Sequence, residues 1–333
     1  MLSRQMAAAL PAPLAVVSLH DGPRTDGSSF DLRVAGGNRA VFCREVAQLL
    51  PFCTSETVVV CSHLHLAPVA WLLRARASRL VVVLCGIEAW VPLRAAERWA
   101  LGASDVVAIS AHTARCFVET NPAFAGVAVT VVHPGLPDAA AAADRSQGTR
   151  PIALVVGRMA VEEGYKGHDA LIEVWPRVLE RHPAAQLVIV GDGTDRTRLE
   201  ALAIGGGLRD AVVFTGRIDD GALRDLYSRA QLFVMPSRDE GFGFVFLEAM
   251  RAGTPCIGAR GAAEEIIEHG ATGLIVDPAD STDILGAILR LFDDPGLCRR
   301  FGAAGRERFL ERFTSDAFRS RFARACEFDV AVR

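Results

Sequence analysis

The sequence predicts an α/β protein made of two doubly wound, Rossmann-like domains in tandem. Three observations lead there. Short, continuous runs of Val, Leu and Ile alternate with longer helix-like segments. The alternation breaks once, over residues 136–150, and then restarts. The chain has 333 residues and half are apolar, enough for two cores of ordinary size. Continuous apolar runs are the mark of parallel strands covered on both faces, because neither face meets water.

In the first half the strand-like runs are LAVVSL (14–19), TVVVC (57–61), LVVVL (80–84), VVAI (106–109) and VAVTVV (127–132). Helix-like stretches near 38–50, 66–76, 92–101 and 111–119 separate them. Before the first run, Pro11 and Pro13 interrupt the apolar stretch that follows Arg4, so a short tail is expected there and not a signal peptide. LPDAAAAADRSQGTR (136–150) has no strand pattern and marks the linker, placed at 141–150 between domains at 1–140 and 151–312. The second half then reads IALVV (152–156), a helix around 167–181, QLVIV (186–190), a helix near 194–203, and VVF (212–214). A helix at 220–229, LFVM (232–235), a helix from about 242 to 252 and PCIG (255–258) follow, with a helical tail from about 281. Residues 313–333 are expected to form a C-terminal helix that packs back on the first domain. Two such sheets are expected to face one another across a cleft, with ligands at the carboxyl ends of the strands.

Bulk properties narrow the function. A net charge of −3 gives no field that would recruit nucleic acid. The longest apolar run, 57–73, contains His63 and His65 and ends at Arg74, short of the ~18–20 apolar residues that a spanning helix needs. Eight cysteines are scattered without a C-x-x-C pair, as expected for reduced thiols in a cytoplasmic protein. The chain carries 35 arginines and one lysine, Lys166. Where arginine serves every other basic position, a lone lysine marks a place that wants a compact, flexible ammonium instead of a planar fork.

Lys166 belongs to the first of two motifs. The strand at 152–156 ends in Gly157-Arg158, and Lys166 closes the loop just before the next helix. Two cations at a strand's carboxyl end, beside a helix N-terminus, make an anion site suited to a diphosphate. The competing reading is a solvated turn. The second motif is PSRDEGFGFVFLEAM (236–250), where a strand ends at a polar turn and Gly241 and Gly243 open a helix. The N–H groups of Phe242, Gly243, Phe244 and Val245 are then expected to meet phosphate or sugar oxygens. If Glu240 and Glu248 share that helix, they stand about 12 Å apart along it at 1.5 Å per residue. That is too far for a glycosidase acid pair and suits two carboxylates that receive hydroxyl groups from two parts of one extended ligand.

These elements, with Gly191-Asp192-Gly193, FTGR (214–217) and GAAEEIIEHGATGLIV (261–276), resemble glycosyltransferase family 4, retaining enzymes of the GT-B fold within glycosyl transferases group 1. The resemblance is dense over about 150–295. It implies a hexosyltransferase that moves mannose or glucose from a nucleoside-diphosphate sugar to an acceptor hydroxyl in polysaccharide or glycolipid assembly. By the same resemblance Arg158 and Lys166, with Gly157, bind the donor diphosphate, Glu248 takes the ribose hydroxyls, and Glu240 holds the hexose near the reacting carbon. Arg217 and Ile218 edge the base. Glu265 matches the family's acid before paired aliphatics, where a helix-capping role is the stronger reading.

The N-terminal half resembles the family more loosely. Gly36-Gly37 stands where the family has a glycine pair that approaches the donor phosphates, with a bare turn as the competing reading. VVVLCGIEAW (81–90) resembles an element that often reads H-G-x-E-x-W, with Cys85 in place of the histidine. Glu88 and Trp90 become candidates for the acceptor side with Cys85, and His63, His65 and His112 are the histidines able to substitute. No D-x-D occurs, in keeping with metal-independent transfer that needs no cofactor beyond the nucleotide sugar as co-substrate. Arg74, Arg76, Arg79, Arg94 and Arg98 make the first domain locally basic, which matches peripheral contact with the inner face of a membrane as well as a solvated helix face. Two further readings stay open at this stage: a non-catalytic nucleotide-sugar-binding homologue, and a GT-B epimerase or phosphorylase. A dinucleotide oxidoreductase is disfavoured because no G-x-G-x-x-G follows the first strand.

Overall fold

The structure, a computed structural model, describes residues 2–10, 14–20, 30–138 and 150–326. The chain divides into two compact units: Met1–Pro134 with Ser315–Arg333, and Gly135–Thr314. Residues 139–149, which include most of the expected linker, lie outside the described residues, as do 327–333 of the expected C-terminal helix.

The first unit starts with helix α1 (Leu2–Ala9), where the sequence led us to expect only a tail. Its Ala-rich sequence favours a helix, Met6 is buried, and the helix ends two residues before Pro11, which cannot continue the ladder. Next come β1 (Ala15–Ser18), β2 (Asp31–Val34), α2 (Arg39–Ala47), β3 (Val58–Cys61), α3 (Ala67–Ala70), β4 (Arg79–Leu84), α4 (Ala95–Gly102), β5 (Asp105–Ala108), α5 (Ala111–Thr120) and β6 (Val129–Val131). Strands β3-β4-β5-β6 form one parallel sheet in that order, and β1 and β2 pair separately. Strand β2 was not anticipated: Asp31 and Arg33 alternate with Leu32 and Val34, so it lacks a continuous apolar run. The expected helix at 66–76 is only one α-turn followed by a 3₁₀ turn over Trp71–Ala75. Strand β4 is the centre of this unit's larger core, with Leu80 to Leu84 at most 1% exposed.

The second unit contains β7 (Ile152–Val156), α6 (His168–Arg181), β8 (Gln186–Val190), α7 (Arg196–Gly205), β9 (Val212–Gly216), α8 (Asp220–Arg229), β10 (Leu232–Met235), α9 (Phe244–Arg251), β11 (Cys256–Ala259), α10 (Ala263–Ile266), β12 (Gly273–Val276), α11 (Ser281–Asp293) and α12 (Pro295–Arg312). The last described helix, α13 (Ser315–Ala325), groups with the first unit and packs on α1. The six strands pair in parallel in the order β12-β11-β10-β7-β8-β9. Renumbered within the unit, this is the doubly wound order 3-2-1-4-5-6, read from the other edge. One large core cluster of this unit includes Trp175, Leu187, Ile189, Val234 and Ile257, and further buried residues such as Leu154, Phe233, Phe246 and Met250 lie outside it. Strand order reverses between β7 and β10, so the chain leaves the two strands in opposite directions and their carboxyl ends border a crevice.

No disulfide joins the eight cysteines; Cys53, Cys61, Cys256, Cys298 and Cys326 are buried and Cys43 is exposed. No described helix is long and apolar enough to cross a membrane.

Leu154 lies in the middle of β7 with no solvent exposure. Leu154→Ala should destabilise the second unit by about 2–5 kcal/mol, to be read as a shift of the urea midpoint followed by far-UV circular dichroism.

Candidate functional site

Both motifs sit at the switch point of the second unit. The loop after β7 runs from Gly157 through Arg158 into a 3₁₀ turn, Val161–Lys166, and meets α6 at Gly167. The Gly191-Asp192-Gly193 loop after β8 supports it from one side. Gly157 N donates to Val190 O at 3.0 Å, Met159 N to Asp192 O at 3.1 Å, and Asp195 N to Met159 O at 2.9 Å. The loop after β10, Pro236 to Gly243, meets it from the other side: Arg238 N donates to Tyr165 O at 3.0 Å. Gly167 makes this junction possible. Its φ is +82°, and a Cβ there would stand 2.7 Å from the Pro236 ring and 2.9 Å from its carbonyl oxygen.

The charged side chains form a chain across the junction. Glu163 accepts from Arg158 through Oε1, and its Oε2 faces Lys166 Nζ at 3.4 Å. Lys166 Nζ in turn stands 3.9 Å from Glu240 Oε1, which also accepts from Ser237 Oγ at 3.3 Å. Lys166 is largely buried, with 15% of its side chain exposed, whereas Arg158 projects at 68%. Burial works to raise the Glu163 carboxyl, but Arg158 and Lys166 outweigh it and hold the group below the usual carboxylate range. Glu240 goes the other way: burial raises it, and Lys166 and Ser237 only partly offset that. His168, the first residue of α6, is buried beside Gly157 and Lys166, and its Nε2 has no hydrogen-bond partner among the described residues. Burial first, then the adjacent Lys166, pushes its pKa down to about 4, so the ring is neutral at pH 7.

The second motif departs from expectation at its start. Helix α9 begins at Phe244, not 242, because its N-cap, Gly243, has φ +97° and cannot be helical. A Cβ at Gly243 would also lie 2.7 Å from the Phe246 ring. Phe242 therefore lies before the helix, and its buried ring packs against Phe244 and Phe313. Glu240 is in the loop and only Glu248 is on α9, so the helical rise does not measure their separation. No side chain caps the first turn of α9, which starts with Phe244 and Val245. Glu248 is held by a residue that the sequence reading missed: Tyr227 on α8, 2% exposed, donates its hydroxyl to Glu248 Oε2 at 2.9 Å. Burial raises the Glu248 carboxyl despite that hydrogen bond. Arg217 is exposed and Ile218 half-buried in the loop between β9 and α8. In α10, Glu264 accepts from Gly261 N at 2.8 Å, and Glu265 is the third residue of the helix.

In the first unit, Gly36 (φ +56°) and Gly37 (φ +82°) form the exposed turn between β2 and α2. Cys85 follows β4; its N–H donates to Glu88 Oε1 at 2.6 Å and its thiol to Ser62 O at 3.4 Å. Burial, then Glu88 and Cys61, pushes the thiol up to about 12, so it is no base at neutral pH. Trp90 packs edge-on to His112. His65 Nδ1 is 2.8 Å from the buried Glu97 carboxylate, and His63 Nδ1 accepts from His65 N. Of the arginines, Arg79 pairs with Asp105 at 2.9 Å and Arg74 donates to Ala77 O. Arg76, Arg94 and Arg98 are exposed, as are Leu72 and Trp99. Among the described residues, no group of three or more His, Cys, Asp or Glu side chains is placed to hold a metal ion.

The sequence family described as glycosyl transferases group 1 matches residues 138–308, more than half of the chain and all of the switch-point site. The chain belongs to glycosyl transferases group 1. Among curated group 1 relatives, it is 35% identical over 209 residues to a GDP-mannose-dependent alpha-(1-6)-phosphatidylinositol monomannoside mannosyltransferase of Mycobacterium tuberculosis, covering 59% of this chain and 54% of that one. It is 39% identical over 152 residues to an alpha-D-kanosaminyltransferase of Streptomyces kanamyceticus, covering 45% and 39%. The chain thus spans about half the length, or less, of these relatives. Among solved structures, a sucrose-phosphate synthase from Thermosynechococcus elongatus superposes with a TM-score of 0.70 at 25% identity, covering 86% of this chain and 76% of that one. Anabaena HepE in complex with UDP and glucose gives 0.73 at 19%, covering 96% and 93%. The group 1 fold is GT-B, with two Rossmann-like α/β units.

The buried His168 makes this site sensitive to acid. Between about pH 4 and 6.5 the unfolded chain binds a proton that the folded ring refuses, so its contribution to stability is full above about pH 6.5 and is lost as the pH falls toward 4. His168→Gln should therefore lose less stability than the parent protein between pH 7 and pH 5, measured as the difference in urea midpoints.

Proposed function

We propose that the protein is a retaining, metal-independent hexosyltransferase that moves a mannose- or glucose-type sugar from a nucleoside diphosphate to an acceptor hydroxyl in polysaccharide or glycolipid assembly. One observation carries this reading: the loop after β7, with Arg158 and Lys166, meets the loop after β10 that leads into the uncapped start of α9, so that a diphosphate bound there would have two cations and a helix N-terminus to meet. The mannosyltransferase likeness supports GDP-mannose as donor, and the solved structures that hold UDP or UDP-glucose support a UDP-hexose.

The residues divide the work. As the glycosidic bond breaks, negative charge grows on the departing phosphate; Arg158 and Lys166 stabilise it, with the α9 N-terminus behind it. A preorganised electrostatic contact of this kind contributes about 10²–10³ in rate. Glu248, oriented by Tyr227, takes the ribose hydroxyls, and Arg217 with Ile218 edges the base. Glu240 takes hydroxyls of the donor hexose. Gly36-Gly37 and the Cys85, Glu88 and Trp90 segment are assigned to the donor phosphates and the acceptor, respectively. In front-face retention the leaving phosphate oxygen receives the acceptor proton, so no side-chain base is required.

A second reading is favoured by Cys85: its neutral thiol stands where the family pattern has a histidine, which would suit a homologue that binds nucleotide sugars without transferring them. Titration calorimetry with UDP and GDP, followed by turnover of labelled GDP-mannose and UDP-glucose, separates the two. Binding with turnover supports transfer, binding alone supports the second reading, and no binding of either nucleotide removes both. Lys166→Arg should lose most of the transfer activity, roughly tenfold or more, because the fork cannot replace the point charge between two carboxylates. Full activity in that variant would show that charge alone is used.

Peripheral membrane contact through the first unit forms part of the proposal. Arg76, Arg94 and Arg98 are exposed in the same unit as Trp99 (58% exposed) and Leu72 (48%), a basic and apolar combination suited to an anionic surface. Flotation with liposomes rich in anionic lipid should carry the protein at low salt and release it as salt rises; absence of binding at low salt removes this part.

A further inference from the structure

The carboxylate of Glu163 has no role in the reading above, yet it is the group most intimately bound to the two cations that carry that reading. Glu163 is 9% exposed. It sits at the kink of the Val161–Lys166 segment, with non-helical dihedrals (φ −108°, ψ 22°), three residues before Lys166, and its carboxylate reaches the Lys166 ammonium. One oxygen accepts from Arg158, and the other faces the Lys166 ammonium at 3.4 Å without a hydrogen bond. Glu240 holds the far side of Lys166 at 3.9 Å. Arg158 and Lys166 therefore do not present two free positive charges to a ligand. An internal anion bridges them.

We propose that Glu163 is a positioning residue that competes with the nucleoside diphosphate for Arg158 and Lys166. It keeps both cations at the switch point and weakens the hold on the diphosphate, so that the product leaves. The inference rests on the transferase reading. A diphosphate carries more charge than one carboxylate and brings several oxygens, so it can take over the cations, starting with the loosely held Lys166 side. Once the sugar has been transferred, the same carboxylate favours release of the nucleotide, product release being the step that limits turnover in many enzymes. Tight product binding is the expected cost of two unopposed cations in a partly buried site, and Glu163 reduces it.

Glu163→Gln separates this role from a structural one. The amide keeps the size of the side chain and a carbonyl that can accept from Arg158 or Lys166, but it removes the competing charge. Titration calorimetry with UDP and GDP on the full chain should show diphosphate binding tighter by about fivefold or more. Affinity for the matching nucleosides, uridine and guanosine, should stay unchanged. With the active donor, KM and kcat should both fall, and product inhibition should deepen. Glu163→Ala also removes the hold on the cations and should bind diphosphate less tightly than the Gln variant. Thermal melting of both variants checks the fold, and the nucleoside affinity serves as an internal reference if either is destabilised. Equal or weaker diphosphate binding by Glu163→Gln, with the nucleoside reference intact, overturns the inference and leaves the transferase reading standing. Failure of the parent protein to bind either diphosphate overturns both.

Discussion

The site depends on the reversal of strand order between β7 and β10. Because these two strands are neighbours and parallel, their carboxyl ends open side by side, and the loops that leave them border one crevice within reach of each other. The meeting is specified by a backbone hydrogen bond from Arg238 to Tyr165 and by the lack of a side chain at Gly167 over Pro236. Any bulk at that glycine would push the two loops apart, and with them Lys166 and Glu240. The chemistry of the site is thus a consequence of sheet topology first and of side-chain identity second.

Charge balance is the next constraint. A site for a diphosphate has to be positive enough to take its ligand and yet remain stable without a cluster of unpaired buried charge. Here the alternation Arg158, Glu163, Lys166, Glu240 achieves that by placing opposite signs next to each other along one edge. The same alternation separates the two glutamates in character. Glu163, between two cations, is held firmly ionised, while Glu240, where burial outweighs a single and more distant cation, is shifted toward the protonated form. Glu248 is shifted in the same direction, with Tyr227 as its donor.

Much of the second unit was legible because its strands are buried on both faces. A run such as LFVM has no polar alternative, and β7, β8 and β10 start and end where the apolar runs do. The basic and acidic residues of the two motifs were legible from their places at strand ends. What the sequence hid depends on local geometry. Glu163 was not singled out; the kink of the Val161–Lys166 segment sets it beside Lys166, although the E-x-x-K spacing was a signal. Tyr227 sits on a polar helix, and its burial against Glu248 is set by packing that the sequence pattern did not reveal. The helix was expected from about 242 because the pair Gly241 and Gly243 was read as opening it, whereas the positive φ of Gly243 sets the boundary there. In the first unit, the alternating charges of β2 concealed a strand, and Cys85 proved to be a neutral, backbone-bonded thiol.

The solitary lysine has a consequence outside catalysis. The sequence carries a single ε-amine, and the structure places it between two carboxylates at the most informative point of the second unit. For most proteins, lysine-directed acylation gives an average over many sites. Here the same chemistry addresses one side chain, so the extent of labelling at Lys166 itself becomes a direct gauge of how accessible that position is. The arginine-dominated composition, which in itself says little about function, has made the protein a single-site reporter on its own charged centre.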